Sequence, residues 1–161
     1  MITESHLLPP EPGARAHLHL SAKKVEIARE LFIAGMEGKW EDVHHLITDD
    51  CVYEGIAGLE ARGYDEMMAL GKKWIEFSSD CKAEITNAIS MDDYVVCEVA
   101  WSGINDGPFN MVAGVSVPEP TYKPFHIKGV GIAEFEGEKI KCCKLLSDAL
   151  GLLLQIGVIK G

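Results

Sequence analysis

The strongest constraint on the fold is a change of hydrophobic period near Asp80. Before it, apolar residues recur every three or four positions; after it, they alternate. The first pattern builds helices with one buried face, and the second builds strands of a half-buried sheet. Ser21 can cap a helix over 22–37, in which Val25, Ala28, Leu31, Phe32, Gly35 and Met36 share a face. Gly38 ends it, and a short second helix turns Val43, Leu46 and Ile47 inward. Asp49 and Asp50 lead into a short strand, CVYEG, and Gly55, Gly58 and Gly63 mark a loop. A third helix covers about 64–77 and offers Met67, Leu70, Gly71, Trp74 and Phe77 for packing.

Strands follow at about 82–91, 94–103, 123–136 and 138–147, with hairpin turns at Asp92–Asp93 and Gly137–Glu138. The stretch 104–122 reads as a long loop with a short strand near 109–115. Ser147 or Asp148 caps a last helix, ALGLLLQIG. Helices first and an antiparallel meander after them give an α+β class. The 161 residues suit one domain, expected over 21–161. Residues 1–20, with three prolines, three histidines and no period, read as a flexible N-terminal arm.

The net charge of −10 leaves no basic footprint for nucleic acid and disfavours an anionic membrane surface. No apolar run has the ~18 residues of a membrane span, and the first twenty residues do not read as a secretory signal. The five cysteines form no CxxC, and four fall in apolar strand-like stretches, so reduced, buried thiols in the cytoplasm are expected. Cys142 and Cys143 point to opposite faces of a strand, which argues against a disulfide between them.

Alternation assigns the inner face. In 125–135 the odd positions, Phe125 through Phe135, are apolar or small and face inward, with Gly129 and Gly131 among them. The same phase puts Val95, Cys97, Val99 and Trp101 inside, then Lys141, Cys143, Leu145 and Ser147 on the last strand. On the 82–91 strand it groups Ile85, Asn87 and Ile89. His126 falls on the outer face; a bulge at Pro124 would turn this titratable group inward. Lys141 would lower the Cys143 thiol if both point inward.

Four stretches together resemble the SnoaL-like polyketide cyclase family, within the nuclear transport factor 2-like superfold. They are EGKWEDVHHLITDDCVYEG, ARGYDEM, EPTYKPFHIKGVGIAEFEGEKI and DALGLLLQIGVI. The resemblance covers about residues 22 to 159. It implies a cone: a curved antiparallel sheet wraps the N-terminal helices around a deep apolar pocket, and members often dimerise through the sheet. It also implies an aspartate on the last strand as catalytic acid, where this chain has Leu145, and an assisting histidine where it has Gly131. The arginine–aspartate pair of the superfold's epoxide hydrolases matches Val99 and Trp101. Their water-holding tyrosine matches Tyr53, and the neighbouring asparagine matches Gly55. Asp148 matches a family aspartate, though its place before a helix accounts for it as a cap.

The expected pocket therefore takes Phe32, Trp74, Asn87, Cys97, Val99 and Trp101, with Met111, Gly131, Cys143, Leu145 and Ser147. Tyr53 is the leading catalytic candidate, as a hydrogen-bond donor since a phenol titrates near ~10, and His126 the second. No metal is expected: His17 and His19 have no acidic or cysteine partner at a fitting spacing. No cofactor is indicated, because GxGxxG, P-loop and nucleophile-elbow motifs are absent from the sequence. Two readings stay open. One is an enzyme that cyclises, isomerises or hydrolyses a small hydrophobic or aromatic molecule without a cofactor. The other is a non-catalytic ligand-binding or dimerisation protein of the same fold. A homodimer is expected for both.

Overall fold

The computed structural model describes residues 21–160 except Ala113, and only the backbone of Ala57. The expected arm over 1–20 lies outside the described residues. Three helices lead: α1 (Ala22–Met36), α2 (Trp40–Val43) and α3 (Gly63–Phe77). Between α2 and α3 lie β1 (Ile47–Glu54) and the short β2 (Glu60–Arg62). Then come β3 (Lys82–Met91), β4 (Tyr94–Ile104), β5 (Phe109–Val112), β6 (Val115–Val117), β7 (Pro124–Glu136), β8 (Lys139–Ser147) and α4 (Ala149–Gln155). The six-stranded curved sheet runs β2-β1-β8-β7-β4-β3, and β5 pairs β6 in a separate small sheet. In the large sheet β1 lies parallel to β8, and the other pairings are antiparallel. None of the described helices is long and apolar enough to cross a membrane.

Local chemistry sets the element ends. The Ser21 side chain accepts from the Lys24 N–H, and its own N–H donates to the Ser90 hydroxyl at 2.8 Å, so the cap also docks α1 on β3. Gly38, at φ 73, turns the chain out of α1. Asp148 caps α4 by accepting from the Gly151 N–H at 2.7 Å. The side chain of Gln155 then grips β7 beyond the end of β8: its Oε1 accepts from the His126 N–H at 2.7 Å, and its Nε2 donates to the His126 carbonyl at 3.0 Å. This amide stands in for a missing neighbour strand.

The segment after β4 is anchored by the fully buried Asn105. Its Nδ2 donates to the carbonyls of Phe77 (3.3 Å) and Gly107 (2.7 Å), and its Oδ1 accepts from the Thr121 N–H (2.8 Å) and hydroxyl (2.9 Å). Nearby, Phe77 packs on Phe109 and Phe125 with ring centroids 5.5 and 5.3 Å apart.

The alternation read along β7 and β4 is the one observed: Phe125, Ile127, Gly131, Ala133 and Phe135 are buried, as are Val95, Cys97, Val99 and Trp101. Two bulges break it elsewhere. On β3, Ile85 pairs with Val99 but Asn87 pairs with Glu98, so Thr86 is the extra residue. Everything beyond it is inverted: Asn87 and Ile89 face out, while Ser90 is buried. On β8, Cys142 pairs with Glu134 but Ile140 pairs with Phe135, so Lys141 is extra. Lys141 therefore turns outward and pairs with Glu134 at 3.1 Å, and Ile140 takes the core position.

Candidate functional site

A cavity lies where α1, α2 and α3 cross β1 and β8. Leu31, Phe32, Gly35 and Met36 wall it from α1, Trp40 from α2, and Leu70, Gly71 and Trp74 from α3. Tyr53 closes it from β1, and Cys143 and Leu145 from β8. The space open to the centre of a water-sized sphere is about 30 Å³. Roughly 10–15 Å³ by that measure holds one water, so a ring-bearing ligand enters only if lining side chains move aside.

The lining is uncharged. Tyr53 and Cys143 are its titratable members among the described residues. Burial raises the Tyr53 phenol further above its ordinary range, with the Cys143 thiol adding to the rise. Tyr53 therefore stays a neutral hydroxyl, able to donate but not to act as a base near neutral pH. No described residue hydrogen-bonds that hydroxyl. Gly55 makes room for it, since a Cβ there would lie 2.9 Å from the hydroxyl oxygen and 2.7 Å from the ring. The bare residue at the position matched to an asparagine is thus a condition of where the phenol sits.

The neighbouring Cys51 thiol, together with burial, raises Cys143 well above its usual value, while interaction with the Cys143 thiol lowers Cys51 against the opposing effect of burial. The lysine expected to activate Cys143 is on the other face, for the bulge reason given above. Cys97, buried on β4, is pushed up to about 11 by desolvation and stays a thiol.

Of the residues expected to form the site, Tyr53, Phe32, Trp74, Cys143 and Leu145 come together at the cavity. Cys97, Val99, Trp101 and Met111 are buried in the core but do not line it. Trp101 meets Trp74 edge-on at 6.2 Å between centroids. Gly131 is covered by the Phe32 ring, which a Cβ there would approach to 2.8 Å, so the aromatic side chain occupies the room an imidazole would need. Ser147 lies half-buried at the end of β8, away from the lining. Asn87 is exposed because of the Thr86 bulge. His126 is exposed too: β7 has no bulge against β4 near Pro124, and the His126 peptide is held by Gln155. No group of three His, Cys, Asp or Glu side chains suited to a metal occurs among the described residues.

Sequence reasoning did not assign Leu31, Gly35, Met36, Leu70 and Gly71 to the site, and it missed Trp40 altogether. Its indole lies in a notch bounded by two glycines on different helices. A Cβ at Gly71 would overlap Nε1 and Cδ1, and one at Gly35 would come within 2.8 Å of Cζ2. Its Nε1–H is buried without a partner among the described residues, as are Trp101 Nε1 and Thr48 Oγ1. Gly35 and Gly71 falling on inner helix faces was the available signal, but nothing local says which ring fills the gap.

The model of the SnoaL-like polyketide cyclase family matches residues 26–156. This chain belongs to that family. Among solved structures, a SnoaL-like protein from Jannaschia sp. CCS1, provisionally described as a polyketide cyclase, superposes with a TM-score of 0.74 at 20% identity, over 85% of this chain and 93% of that one. TsrD from Streptomyces laurentii gives 0.72 at 21% identity, over 88% and 100%. A protein of ketosteroid isomerase-like fold from Catenulispora acidiphila, in complex with trimethylamine, gives 0.65 at 18%, over 81% and 92%. At these identities the likeness is one of fold. No curated protein matches the chain. In this SnoaL-like chain, the last-strand position where the resemblance places an acid does face the cavity, and it carries Leu145. Small-molecule binding or cyclase function is the level that family and fold support; chemistry has to be argued from the lining.

Proposed function

We propose that this SnoaL-like protein binds a small, neutral, mostly apolar molecule in the cavity between α1, α3 and β8, with the Tyr53 hydroxyl donating to an acceptor on it. The carrying observation is an uncharged wall in which no described residue hydrogen-bonds the Tyr53 hydroxyl. A carbonyl or ether oxygen satisfies such a donor, whereas an ion would be left without a counter-charge. If the protein turns its ligand over, Tyr53 polarises a carbonyl oxygen, and the cyclisation or isomerisation draws on that donor together with the shape of the cavity. With no acid or base in the described lining, binding is the primary reading and catalysis the second.

A thermal-shift panel tests this. Aromatic and terpenoid ketones are expected to raise the Tm of the wild type. Tyr53→Phe should bind the ketones about fivefold more weakly, the value of one ordinary hydrogen bond of about 1 kcal/mol, and the matching hydrocarbons unchanged. His126→Ala should leave both series unaffected. A panel in which no compound shifts the wild-type Tm would remove the reading.

The outer sheet face supports the expected homodimer. Ile89 pairs with Val96, and Val96 with Ile132, making an apolar row across three strands. Ile89 is 62% exposed, with Met91 and Leu146 at 51% and 57% on the same face. A second copy laid across the row by a two-fold axis would cover it. Sedimentation equilibrium should give a dimer for the wild type and a monomer for Val96→Glu. A wild-type monomer at tens of micromolar would discard this arrangement.

A further inference from the structure

The cavity is too small for the ligand it is shaped to attract, and the Trp40 ring beside it is what fills the remaining space. We propose that the notch between Gly35 and Gly71 is the ring-binding subsite of the ligand, and that the Trp40 indole occupies it until a flat bicyclic aromatic molecule takes its place. The inference rests on the ligand-binding reading above and says which class of ligand that site takes.

Three observations carry it. The notch is made by the absence of side chains on two different helices, so it holds a planar ring in close contact with bare backbone. Such a slot selects for flatness. The indole does not fit it chemically, because the Nε1–H buried there finds no acceptor among the described residues. A naphthalene-like ring fills the same outline with no donor to strand. Lastly, Trp40 is the first residue of a four-residue helix, short enough to move as one piece. The four-residue α2 follows Gly38, whose φ of 73 already turns the chain, and Lys39, the residue before the helix, gives it no side-chain cap. Swinging α2 outward opens the notch into the space beside Tyr53, since Gly35, Gly71, Trp40 and Tyr53 line one cavity. A bicyclic ketone would then place its rings between the glycines and its oxygen toward the phenol.

The probe is 1-acetonaphthone, titrated into the wild type and Trp40→Ala, with Trp40→Leu as a second variant should alanine not fold. Indole N–H cross-peaks are followed by NMR in wild-type protein labelled on tryptophan, with Trp40 assigned from its loss in the variants. The expected result has two parts. The wild-type Trp40 cross-peak moves on saturation to a position in fast exchange with water. The variant binds at least tenfold more tightly, because no side chain must leave. Wild-type binding with the Trp40 cross-peak unmoved would keep the ligand site and overturn the displacement. Variant affinity equal to wild type would also overturn it. Absence of binding to all forms would overturn both this inference and the function it rests on.

Discussion

Replacing Leu145 by aspartate is expected to leave the protein largely unfolded at pH 7 and folded near pH 4. Leu145 is 4% exposed and walls an uncharged cavity. Removing its buried methyls costs about 3 kcal/mol at any pH. The new carboxyl adds a pH-dependent part. In the unfolded chain it ionises near ~3.9. In the cavity, desolvation raises that value, by up to ~3–5 units for a fully buried acid. Below the unfolded value both states carry the proton and no charge is buried. As pH rises past it, only the unfolded state releases its proton, so stability falls by about 1.4 kcal/mol per unit until the folded value is reached. From pH 4 to 7 that amounts to about 4 kcal/mol, and with the packing loss about 7, against the ~5–15 kcal/mol of a whole domain. Urea titrations of variant and wild type across this pH range measure the difference. A variant whose stability tracks the wild type at every pH would mean that position 145 is wet, and the enclosed cavity would have to be abandoned. The Tyr53 hydroxyl can donate to the new carboxylate, so adding Tyr53→Phe should extend the fall to higher pH.

The second large effect is expected from Gly71→Ala. On an exposed helix surface this change would stabilise by about 1 kcal/mol. Here the methyl would overlap the Trp40 indole at Nε1 and Cδ1. The backbone of α3 is fixed by packing on β1, so the ring is the part that gives way. Losing a buried tryptophan's packing costs about 3–5 kcal/mol, and the net of the two is about 3. For a domain of this size that lowers Tm by about 6–12 °C. Differential scanning calorimetry reads the shift, and a red-shifted tryptophan emission in the folded variant would show where the ring has gone. An unchanged Tm would mean that the indole and Gly71 are not in contact.

Most of this architecture could be read from the residues because the longest strands alternate without interruption. Along Phe125–Phe135 each inward residue is apolar or small, and the phase carries across to Val95–Trp101. It failed where one residue is inserted on one strand of a pair. Thr86 and Lys141 carry no special marking as bulge residues, and the pairing partner decides which residue is extra. Asn87 and Lys141 were therefore assigned to the wrong face, while Cys143 and Leu145, beyond the second bulge, were not. The site divided in the same way. Leu145 could be placed from strand phase, and Tyr53 from the family resemblance. Trp40 could not, because its position depends on two glycines, Gly35 and Gly71, that lie 36 residues apart on different helices. Cys97, Val99, Trp101 and Met111 do face inward, but phase alone does not say which parts of an interior are filled by neighbouring rings.

The parallel pairing of β1 with β8 has a consequence for synthesis of the chain. β1 ends at Glu54, and its partner starts at Lys139. At ~5–20 residues per second, a ribosome needs roughly 4–17 s to cover that gap. During this interval Ile47, Cys51 and Tyr53 have helices above them and the hairpin with β2 at one side, but an open border at the other. The newborn N-terminal half must be shielded or kept dilute until β8 emerges, and its final register is decided by the last of the described strands to be made.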